Sequence, residues 1–199
     1  MGGVGFEVLV IILLILANGV FAMAEIAIVS SRKTRLQQQA GEGDRRAAVA
    51  LALASEPNDF LSTVQVGITL VGVLAGAFGG ATLAEPLAAY LRTFPLTARY
   101  APAIALGSIV VAITYASLIL GELVPKRLAL QRPEQLAALL APPMRLLSRV
   151  ALPMVRLLSG STTLVLHLLR ARPALANPVT EEEIKLLLAQ GTLAGTFEA

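Results

Sequence analysis

The sequence predicts an all-α membrane protein with three transmembrane helices, a re-entrant or interfacial helical segment, and amphipathic juxtamembrane helices. Hydrophobic residues make up 56% of the 199 positions and charged residues only 15%, whereas a soluble domain carries about 25% charged residues. The apolar residues are also gathered into three long runs, which is typical of membrane helices. We therefore expect one transmembrane domain over residues 1–133, followed by two shorter regions.

The three apolar runs cover about residues 8–31, 60–83 and 101–122. Each is long enough to cross roughly 30 Å of hydrocarbon. The first run contains one charge, Glu25, and no Lys or Arg precedes it. Since a signal peptide has a basic start and a shorter apolar region, we interpret this run as a retained helix.

The basic residues predict the orientation in the membrane. Of the 16 lysines and arginines, only Arg92 and Arg99 lie between the second and third runs, and all others follow the first or the third run. Loops rich in Lys and Arg stay in the cytoplasm. We therefore expect a multi-pass protein of the cell (inner) membrane, with its N-terminus outside and its C-terminus in the cytoplasm.

The segment between the first two spans, residues 34–56, is too polar to cross a membrane. Gly41 and Gly43 predict a break in it. The part from Asp44 to Ser55 is expected to form a short helix that lies at the interface or dips back into the protein.

Residues 134–178 are apolar, but prolines interrupt them and arginines recur on one helical face. These residues are Pro142, Pro143 and Pro153, and Arg145, Arg149 and Arg156. The combination favours amphipathic helices along the inner leaflet, with the arginines toward anionic headgroups. A fourth membrane span is the alternative.

Residues 179–199 predict a cytoplasmic helix that leads toward a further domain. Thr180 is suited to be its N-cap and Glu183 the capping-box partner.

Each predicted span carries a stripe of oxygen-bearing groups on one helical face. The stripes are Asn18, Ala22 and Glu25, then Ser62, Gln65 and Thr69, then Thr114, Ser117 and Gly121 with Glu122 beside them. Ionisable residues within a span are costly and point to function. Because carboxylate, amide, hydroxyl and carbonyl oxygens suit a hard cation such as Mg²⁺, the stripes predict a cation site where the three spans converge.

The motif GELVPK, at the end of the third span, carries the strongest signal. Pro125 has no N–H, so the carbonyl oxygen of Gly121 lacks its usual helical partner and is free to bind an ion. Glu122 is the predicted carboxylate ligand. The alternative is that Glu122 is an interfacial anchor paired with Lys126, four residues later.

Other interpretations stay open for the remaining polar and small residues. Glu25 is near enough in sequence to pair with Arg32 or Lys33, and serine and threonine hydroxyls in membrane helices often bond their own backbone. The second span carries a small-residue repeat formed by Gly72, Gly76 and Gly80. Such a face allows close helix packing, either within one protomer or at a dimer seam.

Several kinds of chemistry are disfavoured by the composition. The chain has no Cys and one His, which excludes disulfides, thiolate metal sites and clustered imidazoles. No glycine-rich phosphate loop or nucleophile elbow is present. We therefore expect a protein that is not an enzyme and whose metal chemistry uses oxygen ligands.

Four segments together resemble the transmembrane domain of the CorC/CNNM family of magnesium transporters. They are NGVFAMAEIAIVSSRKTRL (18–36), TVQVGITLVG (63–72), GELVPK (121–126) and VTEEEIKLLL (179–188), in the family's order and over nearly the whole chain. The resemblance implies a homodimer in which each protomer has three membrane helices and a re-entrant hairpin. It also implies a cytoplasmic pair of CBS modules that bind ATP, and export of Mg²⁺ driven by Na⁺ exchange.

The resemblance also implies an ion site at Gly121 and Glu122, with Asn18 and Glu25 from the first span. Many relatives carry Ser where this chain has Ala22. The second-span motif departs further: Ile68 and Gly72 stand where relatives often have asparagine, and Gln65 and Thr69 are candidates to supply the missing oxygens.

The sequence therefore predicts a magnesium transporter that binds its ion between the spans and moves it by alternating access. The predicted ligands are Glu122, the Gly121 carbonyl, Glu25, and some of Asn18, Gln65, Thr69 and Ser117. One rival hypothesis is a membrane sensor or regulator that binds the cation without transporting it. Another is a scaffold that only anchors a cytoplasmic domain.

Overall fold

The computed structural model of the chain describes residues 3–169, and within this range every regular element is a helix. The helices are α1 (Gly3–Ser30), α2 (Lys33–Gly41), α3 (Arg45–Ser55), α4 (Pro57–Leu91), α5 (Ala101–Leu118), α6 (Val124–Gln131) and α7 (Pro133–Leu168). A 3₁₀ turn (Ala98–Tyr100) precedes α5, and a π-helical turn (Ile119–Leu123) joins α5 to α6. The cytoplasmic helix predicted from Thr180 lies outside the described residues.

Four helical segments are long and apolar enough to cross a membrane, judged by length and composition: α1, α4, the segment Ala98–Gln131, and α7. The described residues are therefore all-helical, and their four apolar helices indicate a membrane protein, as predicted. The first three segments coincide with the three predicted spans, and α7 joins them as a fourth candidate. The expected arrangement of three spans with a re-entrant hairpin stays a prediction.

Local sequence explains where the short helices begin and end. The α2 helix ends at Gly41, and Gly43 adopts a left-handed φ of 100°, a conformation that glycine adopts without strain. Asp44 then caps α3, its carboxylate accepting from the backbone N–H groups of Arg46 (2.8 Å) and Ala47 (3.3 Å). The predicted break and the short helix that follows it are both confirmed.

The prolines near residue 140 do not interrupt the chain as expected. Pro142, Pro143 and Pro153 all lie inside α7, so the stretch forms one helix where several were expected, and its placement along the inner leaflet stays a prediction. The helix buries Ala138 and Ala141 before the proline pair and Met144 after it. It therefore stays in contact with the core on both sides of the pair, although the prolines cannot make their helical hydrogen bonds.

The core is built mostly from small side chains around the second half of α1. Its largest fully buried members are Phe60, Ile28, Leu36 and Val64, and most of the others are alanines. The buried residues Leu36, Ala47 and Ala50 belong to α2 and α3. The polar segment that is too hydrophilic to span is thus anchored in the core by its few apolar residues.

The chain divides into two compact units, Met1–Leu157 and Leu158–Ala199. The first unit contains α1 to α6, residues 133–157 of α7, and the core just described. In the second unit, the hydroxyls of Thr162 and Thr163 donate to the carbonyl oxygens of Leu158 and Ser159, each at 2.9 Å. These bonds follow the pattern of threonines satisfied within their own helix.

Candidate cation site

The GELVPK motif covers the end of the π-helical turn and the first residues of α6. The N–H of Val124 donates to the carbonyl oxygen of Ile119, five residues earlier, as in a π-helix. Widening the helix at this point accommodates Pro125, and the helix continues to Gln131 rather than ending at the motif. Irregular backbone around Gly121 and Glu122, predicted from the neighbouring glycine and proline, is confirmed.

Helix α1 approaches this turn at very short range. A Cβ atom on Gly19 would lie 3.0 Å from both the Leu120 carbonyl oxygen and Cγ of Pro125. One on Gly121 would lie 3.2 Å from the Ile15 carbonyl oxygen. Both glycines are therefore required for the two backbones to pack together here.

Asn18 bonds across this contact. Its Nδ2 donates to the carbonyl oxygen of Gly121 at 3.2 Å. Because a carbonyl oxygen only accepts, the amide nitrogen must be the atom that faces Gly121. The Gly121 carbonyl oxygen, predicted to lack its helical partner, thus accepts a hydrogen bond from the Asn18 side chain of α1.

The oxygen of the Asn18 amide, Oδ1, is buried and lacks a hydrogen-bond partner in the described part of the chain. The side chain is buried, with a relative exposure of 8%. A buried acceptor without a partner costs about 1–3 kcal/mol, so its retention calls for a functional explanation.

Asn18 lines a cavity of about 240 Å³ between α1, α4, α5 and the π turn. The polar or small residues in its wall are Asn18, Gly72, Gly76, Thr114, Ser117 and Glu122. Val110, Ile113 and Leu118 supply the apolar remainder. The cavity therefore combines an amide oxygen, two hydroxyls and a carboxylate in a space large enough for a cation with part of its hydration shell.

A group of three charges borders the cavity at Glu122. The Lys126 Nζ lies 2.8 Å from Glu122 Oε1 and 3.7 Å from Glu25 Oε2. All three side chains are partly buried, with relative exposures of 30% for Lys126, 41% for Glu122 and 25% for Glu25. The alternative pairing of Glu122 with Lys126 is confirmed, and Glu25 shares that lysine instead of pairing with Arg32 or Lys33.

The predicted site residues divide into those that converge and those that do not. Asn18, Ser117, Gly121 and Glu122 meet at the cavity or beside it, with Glu25 linked through Lys126. Gln65 and Thr69 are exposed on α4 and are not part of the cavity wall. Their assignment as ligands stays a prediction.

The glycines of α4 line the cavity at some positions and allow close helix packing at others. A Cβ on Gly72 or Gly76 would meet no atom within 4 Å, and both glycines line the cavity. A Cβ on Gly80 would lie 3.4 Å from Leu106 Cδ1. Close packing centres instead on Gly79, where a Cβ would overlap the Ile113 side chain of α5. Gly72, a position where the chain departs from the second-span motif, thus belongs to the cavity wall.

Sequence reasoning missed two contributors. Gly19 was not singled out, although it immediately follows Asn18 and no bulkier residue fits there. Thr114 was placed on the right stripe but left out of the ligand set, and its wall position emerges only from the packing of α5 against α4. Among residues 3–169, no three His, Cys, Asp or Glu side chains form a metal-binding group. A cation here would therefore depend on amide, hydroxyl and carbonyl oxygens besides carboxylates.

Comparison with known proteins places this arrangement in a family. A sequence profile described as "Cyclin M transmembrane N-terminal domain" matches residues 9–199. UPF0053 protein sll0260 of Synechocystis sp. is 49% identical over 98% of this chain and 44% of its own length. UPF0053 protein YhdT of Bacillus subtilis is 31% identical, over 92% of this chain and 40% of its own length.

A third relative carries a functional name. The Polyamine export protein of Haemophilus influenzae is 28% identical over 96% of this chain and 44% of its own length. The chain spans less than half the length of these three relatives. The match over residues 9–199 confirms the resemblance drawn from the motifs, and the chain belongs to the CNNM (cyclin M) transmembrane domain family.

Proposed function

We propose that this chain is the membrane-embedded part of a cation transporter and that Mg²⁺ is its cargo. The observation that carries the proposal is Asn18, which lines the same cavity as Glu122 and whose Oδ1 is buried without a partner among the described residues. We propose that a cation is the ligand of this oxygen. Membership of the CNNM family supports a role in membrane transport.

The oxygens present suit a small, hard cation. Mg²⁺ requires near-octahedral oxygen coordination and keeps some of its waters. We assign Asn18 Oδ1, the Glu122 carboxylate and the Ser117 hydroxyl as its protein ligands, with the second lone pair of the Gly121 carbonyl and the Glu25 carboxylate in support. Waters would complete the shell within the cavity.

We propose a transport cycle that uses these groups. The ion enters between α1, α4 and α5, and the cavity opens to either side of the membrane in alternation, with Na⁺ as the proposed coupling ion. We further propose the orientation deduced from the basic residues, a homodimer, and a cytoplasmic regulatory domain through which ATP acts.

Polyamine export is a second candidate, and one contact favours it. The Lys126 side chain ends in a primary ammonium group, which donates to Glu122 at 2.8 Å and lies 3.7 Å from the Glu25 carboxylate. The end of a polyamine has the same chemistry, so this carboxylate pair is suited to an alkylammonium ion. The relative from Haemophilus influenzae is named for polyamine export.

Flux measurements in proteoliposomes test the proposal and separate the candidates. The wild-type chain and Glu122→Gln are reconstituted, and transport of Mg²⁺ and of spermidine is followed in parallel with equilibrium binding. Glu85→Gln is the matched control, because Glu85 is an exposed carboxylate that pairs with Arg92 away from the cavity. We expect Mg²⁺ flux in the wild type and the control, and its loss in Glu122→Gln.

The other outcomes are equally informative. Spermidine flux without Mg²⁺ flux would replace the first candidate by the second. Mg²⁺ binding without flux of either cation would favour the sensor. Identical behaviour of wild type and Glu122→Gln would contradict the assignment of the site.

A further inference from the structure

The charged group beside the cavity already contains a cation of its own. Lys126 is four residues after Glu122 and therefore on the same side of the helix one turn later. Its ammonium group reaches Glu122 directly at 2.8 Å and Glu25 of α1 at 3.7 Å. The two carboxylates assigned to the cargo are thus held together by one positive charge that is covalently attached to the protein.

The Glu122 carboxylate cannot coordinate the transported cation while the Lys126 ammonium group stays bound to it. A magnesium ion coordinated by the Glu122 carboxylate would lie close to the ammonium group, and like charges in a partly buried site repel strongly. The flexible four-carbon stem of Lys126 allows its ammonium group to move away and return. No change in protonation is needed for either movement.

We propose that Lys126 is a tethered cation that alternates with the transported cation on Glu122 and Glu25. When the cargo binds, the ammonium group leaves the carboxylates, and when the cargo departs, the ammonium group takes its place. The inference rests on the proposed function and adds a positioning residue to it. Lys126 would weaken equilibrium binding and speed release, which prevents the carboxylates from trapping the ion.

A purely structural role predicts the opposite sign. If Lys126 only neutralised two carboxylates so that the helices can pack, removing its charge would loosen the site and weaken cation binding. If Lys126 competes with the cargo, the same change strengthens binding. The direction of the change in affinity therefore separates the two roles.

The test is the dissociation constant for Mg²⁺, measured by titration calorimetry on the full 199-residue chain in lipid nanodiscs. For Lys126→Met we expect about tenfold tighter binding, the equivalent of 1.4 kcal/mol, and slower Mg²⁺ release from the loaded protein. Lys126→Arg retains a tethered positive charge and should restore a dissociation constant close to that of the wild type. Arg127→Met is the matched control, since it removes an adjacent, exposed positive charge and should leave the constant unchanged.

A second measurement uses the wild-type chain, so it does not require that a variant folds correctly. In the wild-type chain, acetylation of the Lys126 amine by acetic anhydride, quantified by mass spectrometry, should increase when Mg²⁺ is added, because the amine is released from its carboxylates. Acetylation that Mg²⁺ leaves unchanged would overturn the inference.

Failure of this inference can be told from failure of the proposed function. If Glu122→Gln abolishes Mg²⁺ binding but Lys126→Met binds as the wild type does or more weakly, only the role of Lys126 is overturned. If Glu122→Gln binds Mg²⁺ like the wild type, the ion does not use this site, and both are overturned.

Discussion

Replacing Asn18 by leucine should separate the stability of the fold from its function. Asn18 is buried against the π turn, with one half of its amide bonded to Gly121 and the other half without a partner among the described residues. Leucine removes both polar ends and is similar in shape. The variant therefore asks whether the amide is present for packing or for a ligand.

The expected stability change comes from three opposing contributions. The bond from Nδ2 to the Gly121 carbonyl, at 3.2 Å, contributes about 0.5–1 kcal/mol in a membrane protein. Loss of its donor leaves that carbonyl poorly satisfied, at a cost of about 1 kcal/mol. Removing the unpartnered Oδ1 returns about 1–3 kcal/mol. These contributions largely cancel, so Asn18→Leu should change the free energy of unfolding by no more than about 1.5 kcal/mol.

Cation binding should respond very differently. If Oδ1 is a ligand, its removal should weaken Mg²⁺ binding by at least about tenfold, corresponding to roughly 1.4 kcal/mol. Calorimetry in nanodiscs measures the affinity, and reversible unfolding in a denaturing detergent measures the stability. Asn58→Leu is the control, because Asn58 is an exposed asparagine in the first turn of α4.

A fold weakened by more than about 3 kcal/mol, together with unchanged Mg²⁺ affinity, would refute this reasoning. That result would mean that the Asn18 amide is retained to join α1 to the π turn and that Oδ1 is an unexplained cost.

Three further results are expected. Gly19→Val should destabilise the fold by about 2–3 kcal/mol and abolish Mg²⁺ binding, because a Cβ there would lie 3.0 Å from the Leu120 carbonyl oxygen. Gly5→Val is the control: a Cβ at Gly5 meets nothing within 4 Å, so stability and Mg²⁺ binding should stay unchanged. Asp44→Ala removes an N-cap that accepts two backbone N–H bonds, so it should cost about 1 kcal/mol and speed amide hydrogen exchange in the first turn of α3; unchanged exchange would contradict the capping role. Because the chain has no cysteine, the single cysteine of Arg149→Cys can be labelled with an impermeant maleimide, and Gly5→Cys is the externally labelled control. Labelling only after permeabilisation supports α7 at the inner leaflet. No labelling in either condition supports a fourth span.

The apolar helices and the irregular backbone at Gly121 were predictable because their causes are local. A run of about 20 apolar residues has few structures open to it in a bilayer. Likewise, a proline four residues after a glycine removes one specific helical hydrogen bond. For the same reason, Asp44 and the nearby glycines marked the boundary between α2 and α3.

The features that sequence reasoning missed depend on packing between helices. Periodicity placed Gln65 and Thr69 on one face of α4, but it could not show that this face is exposed and that Gly72 and Gly76 form the cavity wall. The continuity of α7 through Pro142 was missed because a proline in the sequence indicates only the loss of a helical hydrogen bond, and not that residues such as Ala141 and Met144 are buried on either side of it. Periodicity gives the face of a helix, and only the tertiary structure gives its neighbour.

The π turn also determines which helices the continuous segment from α5 to α6 packs against. One additional residue in a turn rotates everything that follows by roughly 100° relative to an unbroken α-helix. Before the turn, α5 packs on α4, and after it, α6 packs on α1. A uniform helix would present one stripe to one partner along its whole length. The change of phase at Gly121 instead divides the segment into two differently directed faces, with Glu122 at the point where the direction changes.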